Sequence, residues 1–160
     1  MNALPTSHEK YMRLALAEAE VALAKGEVPI GAVVVCHDRV VARAHNLTET
    51  LCDPTAHAEV SAIRAACKKL GTFNLSEYEI FTSCEPCPMC LGAIYWAHLS
   101  KIYYGNNRTD AAKIGFDDDF IYKEIPLPLS QRSIPMENLL HGDASRCFEQ
   151  WREKSDKTEY

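Results

Sequence analysis

The chain has 160 residues, with 17 Lys and Arg against 22 Asp and Glu, and a formal charge of −5. Its 47% hydrophobic and 24% charged residues match a globular domain able to bury a core. The acidic balance gives no sign of a nucleic-acid surface, and no apolar run approaches the roughly 20 residues that span a bilayer. The opening MNALPTSHEK lacks a signal-peptide pattern. With seven cysteines, an odd number, the reading is a single cytoplasmic domain over residues 1–160 with reduced thiols and no membrane partner.

In chain order, Thr6 and Glu9 form a T-x-x-E capping box ahead of Tyr11, Leu14, Ala15, Ala22 and Leu23 at helical spacing. A helix is predicted from Ser7 to Lys25, stopped by Gly26. The β-branched GAVVVC (31–36), polar His37-Asp38-Arg39 and Val40-Val41-Ala42 predict a hairpin. Leu47 to Pro54 reads as loop. A second helix is expected from near Thr55 to before Gly71, with Val60, Ile63, Cys67 and Leu70 as its apolar stripe. YEIFT (78–82) is a third strand that runs into the cysteine-rich SCEPCPMC (83–90). A helix follows Pro88, then a short strand over Lys101–Tyr104, a short helix around Ala111, and a last helix over Ala144–Lys157 with Phe148 and Trp151 on its apolar side. Alternation of strands and helices after a hairpin indicates an α/β domain with helices on both faces of the sheet.

Two stretches carry chemistry. In DPTAHAE (53–59), His57 offers an imidazole near a helix start; in SCEPCPMC, Cys87 and Cys90 stand i, i+3 at another helix start. That spacing puts two sulfurs on one face, and a helix N-terminus favours thiolates. One nitrogen and two sulfurs make a three-ligand zinc site whose fourth position is open to water, which the ion acidifies toward a pKa of about 7. Glu59, two residues past the histidine, is the carboxylate placed to move protons between that water and an amino-bearing sp² carbon. A structural zinc would want a fourth Cys or His and has no use for Glu59. Cys84 reads as packing beside the site. Cys36, Cys52, Cys67 and Cys147 read as small apolar residues or free thiols. His8, His37, His45 and His141 read as surface or loop groups, and His98 as a cap at a helix end. Tyr95 and Trp96 read as core packing.

H-x-E with P-C-x-x-C is the signature of zinc deaminases. DPTAHAE, SCEPCPMC and the following LGAIYWA resemble the cytidine deaminase-like superfamily of zinc nucleobase deaminases. The resemblance implies a three-layer α/β/α fold around a central five-stranded mixed sheet. Within it, EVPIGAVVV (27–35) and ARAHN (42–46) resemble bacterial tRNA-specific adenosine deaminases. TSCEPCPMCLGAIYWA (82–97), TDAAKIGFDDDFIYKEI (109–125), Ile134-Pro135 and WREKSDKTEY (151–160) resemble small bacterial guanine deaminases. The second set is longer and more particular, so the expected reaction is guanine to xanthine plus ammonia, with adenosine deamination in a tRNA anticodon as the alternative. A zinc-stabilised binding module without turnover is a third reading.

The guanine branch implies one Zn²⁺ per subunit, a homodimer, and a C-terminal segment of about 143–160 that swaps between subunits. It also implies Asp118 assisting at the amino group, Asn46 bonding the base, and terminal Tyr160 closing over the purine. Backbone N–H groups near Ala58 are expected to hold the base carbonyl. The branch often reads PFGA where this chain has Pro29-Ile30-Gly31-Ala32, which removes an aromatic ring expected beside the base.

Overall fold

The computed structural model describes residues 7–159. Three layers form: one long helix, a four-stranded sheet, and a second layer of helices that carries the functional motifs. Helix α1 spans Ser7–Ala24; Thr6 of the expected capping box lies outside the described residues. Gly26, at φ 78°, takes the left-handed stop position that glycine adopts without steric cost. Strands β1 (Gly31–Cys36) and β2 (Arg39–His45) form the hairpin. Its turn is two residues, His37 and Asp38, both at positive φ (45° and 59°), the geometry that matches strand twist. β2 therefore begins at Arg39 and runs past the expected Ala42.

Strand β3 (Glu79–Cys84) pairs antiparallel with β1, and β4 (Lys101–Asn106) pairs parallel with β3, giving the order β2-β1-β3-β4. Five strands were expected; four are present among the described residues. After β4 the chain goes directly into short helices, α5 (Arg108–Lys113) and α6 (Asp119–Glu124). The Asn107–Asp110 capping box commits the chain to helix one residue after β4 ends, so β4 stays at the edge.

The sheet faces alternate as the period of two requires. Val33, Val35 and Phe81 point to α1, meeting Tyr11 and Ala15. Ala32, Val34, Ala42 and Ile80 point the other way, onto α3 (Ala58–Leu70) and α4 (Pro88–Trp96) through Ala62, Ala66 and Ile94. Gly31 lets α1 lie directly on β1: a Cβ there would sit 2.2 Å from the Ala15 carbonyl oxygen. On the other end of β1's contact with β3, the Gly31 N–H donates to Ser83 Oγ at 3.0 Å.

Three local readings change. The expected loop at 47–54 contains a turn of helix, α2 (Thr48–Leu51). The buried carboxylate of Glu27 accepts from the N–H groups of Glu49 (3.1 Å) and Thr50 (2.7 Å), satisfying donors that a helix start leaves free. Next, α3 begins at Ala58, not Thr55, because Asp53 Oδ1 accepts from the Thr55 N–H (2.8 Å) and holds that stretch in a turn. Finally, α7 covers His141–Glu153 and buries none of its residues. Phe148 is 81% exposed, and Tyr95 and Trp96, expected in the core, are 74% and 65% exposed. Helix α4 is apolar nearly all round, and only its Cys90 and Ile94 are buried, so these rings face outward.

Candidate active site

The helix starts place the ligand trio. His57 is the N-cap of α3 and Cys87 the N-cap of α4, both with extended backbone. Pro88 fills the first position of α4, where a missing N–H costs nothing. The Cys90 N–H donates to Cys87 Sγ at 3.5 Å. Both sulfurs lie 3.5 Å from His57 Nδ1. A tetrahedral ion bonded to sulfur at ~2.3 Å and nitrogen at ~2.0–2.1 Å needs an N···S edge of about 3.5 Å, so the trio is already at zinc-binding separation.

The protonation chemistry of the donor set fits the same ion. Cys87, hydrogen-bonded by Cys90 and His57, is held down to about 4. Cys90 is pushed up, first by its bond to Cys87 and then by burial and by Glu59. The bond to Cys87 raises the His57 imidazole. Two thiolates beside a buried carboxylate repel one another, and a divalent cation is what lets both ionise. Cys84 ends β3 in the buried core, its thiol raised to about 11 by burial, and stands outside the trio.

Glu59, in the first turn of α3, is 2% exposed. Its two oxygens accept from Thr82 Oγ1 (3.3 Å) and Cys90 Sγ (3.4 Å), which fixes the carboxyl against the trio. Burial raises it above the usual carboxylate range. In front lies a cavity of about 300 Å³ lined in part by His57, Cys87, Met89, Phe116 and Asp118, at the small end of ligand sites. Asp118 is buried, its Oδ1 has no hydrogen-bond partner, and burial pushes its carboxyl up. Asp118 lines the cavity, and buried oxygens of this kind nearly always have a hydrogen-bond partner, so its unpaired Oδ1 marks this wall as functional.

The other expected site residues fall in different places. Ala58 is the first residue of α3 and fully buried beside His57. Asn46 is buried, and its Nδ2 donates to Thr48 Oγ1 (2.8 Å) and Glu27 Oε2 (3.1 Å). Tyr160 lies outside the described residues. Ile30 belongs to the core cluster and does not line the cavity. The aromatic wall is instead Phe116, whose ring centroid is 5.6 Å from that of His57.

Phe116 carried no separate signal in the sequence. Nor did the clamp behind it: Arg108 pairs with Glu85 (3.0 Å), lies 4.1 Å over the Tyr122 ring, and Tyr122 donates to the Pro86 carbonyl (2.7 Å). This ties α6, with Asp118 at its N-cap, to the loop that carries Cys87. Asp118 and Tyr122 stand four residues apart, on one helical face, and that spacing was the available clue.

A family model for the cytidine and deoxycytidylate deaminase zinc-binding region matches residues 5–106. The chain belongs to this deaminase family. Among its relatives, guanine deaminase of Bacillus subtilis is 46% identical over 155 residues, covering 96% of this chain and 99% of that one. The crystal structure of the Bacillus subtilis guanine deaminase superposes with a TM-score of 0.92 over 96% of this chain and 98% of that one. The tRNA-specific adenosine deaminase of the same organism is 48% identical over 100 residues, covering 62% of each chain. Similarity to this last deaminase is thus strong but partial, whereas the guanine deaminase match takes in the segment that supplies Phe116 and Asp118.

Proposed function

We propose that this protein is a zinc-dependent deaminase that converts guanine and water to xanthine and ammonia. The observation that carries this reading is the near full-length similarity to a guanine deaminase, because residues 115–118 and Ile121, beyond the shared zinc-binding region, form one wall of the cavity. His57, Cys87 and Cys90 would hold one Zn²⁺ per chain. When bound, the ion supplies Lewis-acid activation of a water molecule.

The chain's own groups manage the protons. Adding the water oxygen to the amino-bearing ring carbon and releasing ammonia places one water proton on the adjacent ring nitrogen and the other on the departing amino group. Glu59, with its proton affinity raised by burial and its carboxyl pinned by Thr82 and Cys90, is the group that takes and returns those protons. Asp118 Oδ1 accepts from the exocyclic amino group and orients it. Phe116 packs on the purine face. The Ala58 N–H, at the start of α3, and Asn46 address the polar edge of the base.

The assembly follows the same reading. Phe148, Trp151 and Trp96 border one shallow cavity with Thr158 and Glu159, and exposed aromatic surface of this kind favours a second subunit. The protein is a homodimer in which about residues 143–160 cross to the partner and Tyr160 closes over the purine. No helix among the described residues is long and apolar enough to cross a membrane; the expected compartment is the cytoplasm.

Ammonia release from guanine, adenine, cytosine, cytidine, guanosine and a tRNA anticodon stem tests the reading. Turnover of guanine is expected. Turnover of the tRNA stem without free guanine would overturn it, and no turnover together with an innocuous Glu59→Gln would leave a binding module. Deleting Tyr160 lowers guanine turnover if the tail closes the site.

A further inference from the structure

A second set of metal-binding side chains lies at the far end of the sheet. Cys36 ends β1, His37 opens the hairpin turn, and Glu77 sits two residues before β3. Their ligating atoms all lie within 4.8 Å of one another, and Cys36 Sγ is 3.1 Å from His37 Nδ1. They border a cavity of about 300 Å³ shared with His8, Asp38 and Glu79. Five residue steps of β3 separate Glu79 from Cys84, which at ~3.3 Å per residue is about 17 Å. The cluster therefore shares no ligand with His57, Cys87 and Cys90.

We propose that Cys36, His37 and Glu77 form a second zinc site, separate from the site of deamination. The donor set decides the ion. A thiolate, an imidazole and a carboxylate suit zinc, whereas magnesium and calcium take oxygen donors. Three protein ligands leave the fourth position to water. The turn presets the pair: His37 and Asp38, both left-handed (φ 45° and 59°), turn the chain so that the imidazole lies beside the thiol. The 3.1 Å separation is about 0.4 Å below the tetrahedral N···S edge, a gap that rotation of the exposed imidazole closes. Glu77 has no hydrogen bond or ion pair within the described residues, so its carboxylate is available to a cation. Asp38, Glu77 and Glu79 make the mouth of the cavity acidic. Bound there, zinc would tie the β1–β2 turn to the segment entering β3, two pieces of chain about 40 residues apart in sequence and adjacent through the β1–β3 pairing.

The full-length protein, equilibrated with micromolar zinc and freed of excess, is counted by native mass spectrometry and by metal analysis. Wild type is expected to hold one more zinc per chain than Cys36→Ser, and one more than Glu77→Gln, with guanine turnover equal in all three. Cobalt-loaded wild type should show thiolate-to-cobalt absorption that Cys36→Ser reduces without abolishing. Equal zinc counts in wild type and both variants would overturn the proposal. The result rests on a difference in ion count, so it stands or falls independently of which base is deaminated.

Discussion

Replacing Glu59 by Gln separates proton transfer from every other task of that side chain. The two residues are the same size, so the 2% exposed position is filled without a void. The amide oxygen still accepts from Thr82 Oγ1, and the amide nitrogen takes the place of the oxygen 3.4 Å from Cys90 Sγ, where a thiolate accepts its proton. Zinc content and thermal midpoint should therefore stay close to wild type. What is lost is a group that can take and return a proton. General acid–base catalysis by one side chain contributes about 10²–10⁴-fold, or about 3–5 kcal/mol of transition-state stabilisation, and the loss should fall on kcat with KM little changed. Steady-state ammonia release from guanine, alongside metal analysis, measures both parts. A kcat within threefold of wild type, with zinc retained, would refute the assignment. Loss of zinc along with activity would make Glu59 a support of the metal site instead.

Asp118→Asn removes a buried carboxylate whose Oδ1 lacks a partner, so its thermal midpoint should equal or exceed wild type while kcat falls about 10²-fold; an unchanged rate would remove Asp118 from the chemistry. Gly31→Ala drives a methyl to 2.2 Å from the Ala15 carbonyl and should cost about 1–3 kcal/mol, lowering the midpoint by roughly 2–12 °C; differential scanning calorimetry with no shift would mean that α1 stands further from β1. Glu27 is lowered to about 2: burial opposes its ionisation, but hydrogen bonds from Thr50, Glu49 and Asn46 outweigh it. Its folded value lies below the usual ~4.3 of an unfolded glutamate. Its ionised form thus stabilises the fold above about pH 4.3, and that contribution drains away as pH falls toward 2. Glu27→Gln should melt below wild type at pH 7, and the gap should narrow across this window; a gap independent of pH would contradict the role.

Much of the site was legible because its information is local. His57, Glu59, Cys87 and Cys90 sit within a turn of their helix starts, and spacing along a helix dictates which atoms share a face. Helix α1, the hairpin and strand β3 were legible from periodicity for the same reason. Where long-range partners decide, the reading failed. Helix α2 forms because Glu27, over twenty residues away, caps it. Tyr95 and Trp96 are as apolar as any core residue, and only the docking of α4 through Cys90 and Ile94 leaves them outside. That Ile30 leaves the base without a ring was legible in the sequence; that Phe116 supplies one from a different element was not.

The residue types and their spacing by themselves pointed to a His-Cys-Cys donor set able to hold a metal, with a carboxylate beside it, since donor chemistry and helical geometry are properties of short segments. The tertiary structure decided the rest. It brings residues 115–118 and Ile121 to the trio to make a cavity, leaves an unpaired buried oxygen on Asp118 in its wall, and forms a sheet of four strands among the described residues. It also places Glu77 beside Cys36 and His37 at the opposite end of that sheet. Each of these depends on pairing between distant strands and helices, which is set by burial of shared apolar faces and is not encoded in any one stretch of sequence.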